Sequence, residues 1–263
     1  MGYSFRITFD PLSKSSGNSF LDSQNQWSYE FQRQFWNRWD TENLKPSKLG
    51  KQAVRRGDTA LGLLGGLELP ARAAILEVGC GNGWFARRLM SLGSVTGIDI
   101  SDAAIEQAVQ QVQGAKFLAG DVLKMKLPSE SFDVVVAMET FSHVRQPEFV
   151  CWAAEVLKPG GYLLLTTQNR KIYMRSSSVK PPGEGQVRRW VTQAELKALL
   201  EGRFSVEHCF TIEPGGSRGL LRVVNSRKLN GALGKLFSPA KVKALKERLG
   251  FGQTIVTMAR RRP

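Results

Sequence analysis

The sequence predicts an α/β fold: a doubly wound, mostly parallel sheet with helices on both faces, an N-terminal helix and a basic helical insertion before the last strand. Three observations carry this prediction. From Ala73 onward, short β-rich runs alternate with helical segments, the pattern of a sheet built by crossover connections. Runs such as Val134-Val135-Val136 are apolar at consecutive positions, as expected of strands buried on both faces. A glycine-rich turn, "ILEVGCGNGWF" over 75–85, joins the first strand to the first helix after it.

In chain order, residues 1–25 are polar and rich in Ser and Asn, which predicts a flexible tail. Within "QWSYEFQRQFWNRWD", Trp27, Phe31, Phe35 and Trp39 recur every four residues, with Trp36 alongside. That spacing gives one face of a helix. The face is either a packing surface or an aromatic lid over a cleft, and the stripe itself does not decide between them. Strands follow at 74–79, 94–99, 115–118, 132–137, 160–167, 204–212 and 253–259, with helices at 84–92, 102–112, 146–157 and 192–201. Pro159-Gly160-Gly161 reads as the stop of one helix and the turn into the next strand. Residues 170–191 are basic and loop-like. In the insertion, Leu229, Ala232, Leu233, Leu236 and Phe237 fall at helical spacing, as do Val242, Leu245 and Leu249. Ser238 is placed to cap the second of these helices, with Pro239 at its first position.

Composition narrows the function classes. No apolar run is long enough to span a membrane, and the N-terminus lacks the pattern of a secretory signal. Cys80, Cys151 and Cys209 lack metal or disulfide spacing, which predicts a reducing, cytoplasmic setting. The net charge of +14 is concentrated in one half. Residues 1–150 balance 16 Lys/Arg against 16 Asp/Glu, whereas 151–263 carry 21 against 7. Such asymmetry attracts an anionic partner (a membrane surface, a nucleic acid or an acidic substrate) or is a solvated basic face.

The glycine turn points to a nucleotide. Gly79, Gly81 and Gly83 allow a sharp strand-to-helix turn and close approach of backbone to a ligand. Asp99, at the end of the second strand, is placed to accept from ribose hydroxyls. The dinucleotide fingerprint G-x-G-x-x-G is the competitor. Here the spacing is G-x-G-x-G, and Glu77 stands two residues before the first glycine. A carboxylate there disfavours pyrophosphate and favours a cationic nucleoside. Asp121, after the third strand, can accept from an adenine amino group.

With "AGDV", "SFDVVVAMETFSHV" and "EVLKPGGYLLLTT" following in order, the chain resembles the class I S-adenosylmethionine-dependent methyltransferases over about residues 70–212 and 253–260. The resemblance implies a Rossmann-like seven-stranded sheet with a reversed last hairpin. It implies one domain over 26–263: a helical cap at 26–69, a core at 70–212 and 251–263, and the insertion at 213–250. S-adenosylmethionine is the implied cofactor. Gly79, Cys80, Gly81 and Gly83 would line it, and Glu77 would shape the loop at its methionyl end. Asp99 and Ile100 would meet the ribose, Asp121 and Val122 the adenine, and Met138 would lie near the methyl group.

The run "METFSHVRQPEFV" is similar to that of the ubiquinone-type O-methyltransferases, which carry an acid and then an acid–His pair that some members use as metal ligands. Glu139 and His143 match, but Ser142 stands in place of the second acid, and Gln186 where a histidine is often found. Two ligands are too few, so no metal is expected. His143 is instead expected to act as base or substrate positioner, with Glu139 orienting it or the acceptor. His208 reads as structural. Trp36, Trp39 and Asn169 are the expected acceptor contacts. The expected partner is a small-molecule acceptor, anionic or at a membrane surface, methylated on oxygen in preference to nitrogen. RNA methylation through the basic C-terminal region is the alternative.

Overall fold

The computed structural model of the protein describes residues 29–43, 49–175, 186–216, 218–226, 228–231 and 237–263. The tail expected over 1–25, Trp27 and part of the first insertion helix therefore lie outside the described residues.

The chain enters through α1 (Tyr29–Asn43) and α2 (Lys51–Leu64). It then alternates: β1 (Ala73–Val78), α3 (Trp84–Leu89), β2 (Gly93–Asp99), α4 (Asp102–Gln111), β3 (Lys116–Ala119) and β4 (Phe132–Met138). A 3₁₀ turn over Phe141–His143 leads to α5 (Gln146–Val156), β5 (Leu157–Gln168), α6 (Arg170–Tyr173), α7 (Gln193–Leu200) and β6 (Phe204–Pro214). The last elements are α8 (Leu220–Val224), α9 (Pro239–Arg248) and β7 (Gly252–Arg261).

The seven strands take the order β3-β2-β1-β4-β5-β7-β6. β7 runs antiparallel to both β5 and β6, while the other pairings are parallel. The chain winds outward from β1 to β3 and then returns across β1 to β4. This reversal opens a crevice beyond the carboxyl ends of β1 and β4, the place where doubly wound sheets bind ligands.

Two apolar clusters explain why the central strands lack alternation. On one face Leu76, Val78, Val135 and Leu163 pack with Phe141, Phe149 and Trp152. On the other, Ile75, Val134, Val136 and Leu164 pack with Ala60 and Leu64 of α2 and with Phe85 and Leu89 of α3. Consecutive residues thus meet different helices, so both must be apolar.

Pro159-Gly160-Gly161 does not separate helix from strand as expected. It lies inside β5, which already begins at Leu157. The register runs from Phe132↔Leu157 to Val134↔Tyr162, so the extra residues form a bulge. Proline donates no ladder hydrogen bond and Gly160 holds φ 76°, which is why the bulge falls there. The expected loop over 170–191 contains α6, which Asn169 caps by accepting from the Lys171 N–H. In the insertion, Ser238 caps α9 by accepting from Lys241, with Pro239 in its first turn. The helix α8 was not anticipated: Leu220–Val224 is too short to show a period. No described helix is long and apolar enough to cross a membrane.

Candidate active site

A cavity of about 530 Å³ opens at the carboxyl ends of the strands, roofed by α1. Each strand of the parallel core delivers a residue to it: Glu77 and Val78 from β1, Asp99 from β2, Met138 from β4 and Gln168 from β5, with Gly120, Asp121 and Val122 following β3. The strand register places these side chains together although they are separated by up to ninety-one residues in sequence.

The glycine turn forms its floor. Gly79, Gly81 and Gly83 hold φ of 71°, 53° and 78°, the left-handed region that glycine enters without cost. Gly79 has a second reason to lack a side chain: a Cβ there would overlap Thr140 Oγ1. That hydroxyl lies 3.1 Å from both the Val78 and Met138 carbonyls and so ties the ends of β1 and β4 together.

Asp99 is fixed by two backbone donors. Gly81 N–H donates to Oδ2 at 2.8 Å and Ser101 N–H to Oδ1 at 3.0 Å. Burial raises its pKa, and these amides oppose the shift by stabilising the carboxylate. Glu77 is 1% exposed. Burial and then the Asp99 charge push its carboxyl well above the usual range, and its Oε2 has no hydrogen-bond partner. The Ala86 backbone N–H opposes the shift, but a buried carboxyl oxygen left without a partner is costly unless a ligand supplies a donor or cation.

The wall is completed by His143, Glu139, Trp36 and Trp39. His143 Nδ1 lies 2.6 Å from the Val187 carbonyl oxygen. A carbonyl can only accept, so Nδ1 carries the proton and neutral His143 has its lone pair at Nε2. Burial lowers its pKa, with the Val187 bond opposing and the Arg188 charge adding to the shift. The ring of Trp36 meets His143 edge-on, with centroids 4.8 Å apart. Glu139 holds φ 58°, a strained conformation for a residue with a side chain. Gln168 donates to its Oε2 at 2.7 Å, and Arg56 Nε lies 3.8 Å from its Oε1. Glu139 therefore does not orient His143; the Val187 backbone does. Burial raises the Glu139 pKa despite Arg56. Arg56 is shared with Glu213, at 3.3 Å.

Residues 76–165 match the family model described as a methyltransferase domain. That stretch of the chain is a methyltransferase domain. It is 38% identical over 153 residues to the ubiquinone biosynthesis O-methyltransferase of Xanthomonas axonopodis pv. citri, covering 50% of this chain and 62% of that one. It is 36% identical over 138 residues to the 27-O-demethylrifamycin SV methyltransferase of Amycolatopsis mediterranei, covering 48% of each chain. The chain thus spans about half the length of the curated relatives it matches. Among solved structures, a chain from the complex of the Haloferax volcanii Trm112 activator with a putative methyltransferase aligns with a TM-score of 0.60 at 17% identity, covering 89% of this chain and 98% of that one. The [4+2]-cyclase SpnF aligns with a TM-score of 0.58 at 17% identity, covering 92% and 97%. At such identities the likeness shows the fold alone, and a cyclase among the neighbours illustrates that fold does not dictate chemistry.

S-adenosylmethionine is the cofactor of this methyltransferase domain, and the residues present fit it. The Glu77 carboxyl, whose Oε2 lacks a partner, and the fixed Asp99 carboxylate suit a ligand bearing an ammonium, a sulfonium and ribose hydroxyls. Glu77, Gly79, Gly81, Asp99, Ile100, Asp121, Val122 and Met138 line the cavity, as do Trp36, Trp39, Glu139 and His143.

Three expected contacts fall elsewhere. Cys80 is buried beneath the turn, with its N–H spent on the Ile98 carbonyl. Gly83 sits behind the loop as the residue preceding α3, against Phe117 and Val112. Asn169 is 2% exposed, and its side chain caps α6 and donates to the Gly252 carbonyl at 2.9 Å. It braces β7 and is not among the residues lining the cavity. Conversely, Asp40, Arg56 and Gln168 line the cavity without having been singled out in the sequence. Each sits in an ordinary helix or at a strand end with no motif around it. Among the described residues, no group of three or more His, Cys, Asp or Glu side chains converges as a metal site.

Proposed function

We propose that the protein transfers a methyl group from S-adenosylmethionine to a hydroxyl of a small-molecule acceptor, with His143 as general base. The observation that carries this reading is the 2.6 Å contact between His143 Nδ1 and the Val187 carbonyl, which assigns the free lone pair to Nε2. A hydroxyl is a poor nucleophile until its proton is removed, so a neutral imidazole held ready in the cavity wall favours an oxygen acceptor. The names of the matched relatives, O-methyltransferases of ubiquinone biosynthesis and of a rifamycin, support the same preference.

Bound S-adenosylmethionine supplies an electrophilic methyl group on a sulfonium. The chain's own residues do the rest. Asp99 and the glycine turn hold the nucleoside, while Glu77 offers negative charge to its cationic end. Trp36 and Trp39 supply flat apolar surface that excludes water and aligns the acceptor, and His143 Nε2 takes the hydroxyl proton. Alignment and desolvation carry much of the rate for a displacement of this kind. Glu139, held by Gln168 and Arg56, positions the acceptor.

We assign acceptor selection to the added elements, α1 and residues 213–250, because variable elements over a constant core usually set specificity. We place the protein in the cytoplasm, since its three cysteines are free thiols. The test is to incubate the protein with methyl-labelled S-adenosylmethionine and cell extract fractions and to identify the labelled product. An O-methylated small molecule supports the proposal. Label in RNA, with binding that weakens steeply as salt rises, overturns it.

A further inference from the structure

Asp40 lies on α1, outside the matched methyltransferase domain of residues 76–165, yet the residue is 5% exposed and lines the same cavity as Asp99 and Glu77. The helix is pinned at this point. Arg33 Nε donates to Asp102 Oδ2 at 2.6 Å, and Asn37 Oδ1 accepts from Ser101 Oγ at 3.0 Å and from the Ala103 N–H at 3.3 Å. Asp40 is thereby held against the end of β2. Five carboxyl groups therefore line one cavity; Glu139 is paired with Arg56 and Asp121 with Lys124, which sets Asp40, Asp99 and Glu77 apart. The cations among its described lining residues are engaged elsewhere: Arg56 with Glu139 and Glu213, Arg145 with Glu148. Among the described residues, no ion pair reaches Asp40, Asp99 or Glu77.

We propose that Asp40 is a specificity residue that makes the cofactor cavity read ligand charge, favouring the sulfonium donor over its neutral thioether product. This inference rests on the methyltransferase reading above. During transfer, the acceptor oxygen forms a bond to the methyl carbon while the carbon–sulfur bond breaks. The bonding pair stays on sulfur, and the hydroxyl proton passes to His143 Nε2. The nucleoside loses one positive charge in that step. A low-dielectric cavity holding Asp40, Asp99 and Glu77 feels the loss more strongly than water would. The spent nucleoside is then less well held, and the carboxylate on α1 is left facing Asp99.

Burial, and then the Asp99 charge at the end of β2, push the Asp40 carboxyl up to about 7, with the Ser101 side chain holding it down in part. Cys80 in the glycine turn stays a neutral thiol, raised by burial, by Asp99 and Glu77, and by Asp40 itself. A cationic ligand stabilises the ionised form of Asp40 and expels its proton; a neutral ligand does not. Affinity for the cation must therefore rise with pH relative to affinity for the neutral ligand.

Calorimetry with S-adenosylmethionine and S-adenosylhomocysteine tests this. In the unmodified protein, the ratio of the two dissociation constants should shift toward the donor by about fivefold between about pH 6 and about pH 7.5. In Asp40→Asn, whose response corrects for ionisation of the ligands themselves, the preference should fall by about tenfold at the higher pH and its dependence on pH should flatten. Equal ratios in both proteins at both pH values would overturn the proposal while leaving the methyltransferase reading intact. Failure of both ligands to bind the unmodified protein would sink that reading instead. Should Asp40→Asn fail to fold, as thermal melting would reveal, the pH series on the unmodified protein still decides, since a flat ratio refutes the proposal.

Discussion

Asn37 and Ser101 meet through a 3.0 Å hydrogen bond that fastens the roof helix α1 to the N-terminus of α4. Ser101 also caps α4 by accepting from the Ala104 N–H, and its own N–H holds Asp99. One residue thus links the roof, a helix cap and the Asp99 carboxylate. Asn37→Ala removes this bond and those to Ala103 and Asp102. It should cost about 1–2 kcal/mol of stability. Hydrogen exchange should rise in α1 before the core, and unchanged exchange there would show that the bond is not a fastening.

Gly79 and Gly81 separate two costs of adding a methyl group to the turn. Gly79→Ala meets Thr140 Oγ1 at a φ of 71°, so clash and backbone strain combine. The expected loss is about 2–4 kcal/mol, with cofactor binding lost. Gly81→Ala finds no atom within 4 Å at a φ of 53° and should cost only about 1 kcal/mol of backbone strain. Denaturant melts of the two variants check the order, and equal losses would remove the Thr140 contact as the cause.

Asp99→Ala should weaken S-adenosylmethionine binding about 10–100-fold, because the ribose loses a charged acceptor. The variant also strands the Gly81 and Ser101 N–H groups that the carboxylate satisfies. Cofactor affinity measured by calorimetry, unchanged within error, would show that Asp99 serves the loop alone.

His143→Gln should lower kcat about 10²–10⁴-fold while leaving cofactor affinity unchanged. In the unmodified protein, kcat/KM should rise with pH and level off above the His143 pKa, which burial sets below the ordinary imidazole value. The variant should lose that limb. The same shift has a sign for stability. The folded state binds its proton less readily than the unfolded chain, so the contribution is present above the unfolded pKa and is lost on acidification. A variant that keeps full activity and the same pH profile would remove His143 as the base.

Much of the donor half was legible because local rules write it. Gly79, Gly81 and Gly83 stand where backbone sterics require φ above zero, and Glu77 and Asp99 occupy strand ends that a parallel register must bring side by side. Asn169 lies off the cavity for the opposite reason: strand-end position says which rim a residue reaches, not whether its amide is already spent on a helix cap and the Gly252 carbonyl.

The sequence by itself determined the α/β alternation, the glycine turn and the nature of the donor, because each follows from periodicity, steric permission or charge within a short stretch. Only the tertiary structure decided what stands opposite that donor. The tautomer of His143 depends on Val187, the strained Glu139 on Arg56 and Gln168, and the charge of the cofactor cavity on Asp40 from α1. Those partners come from separate elements, and no local pattern encodes a hydrogen bond or a desolvation that arises only when distant segments pack.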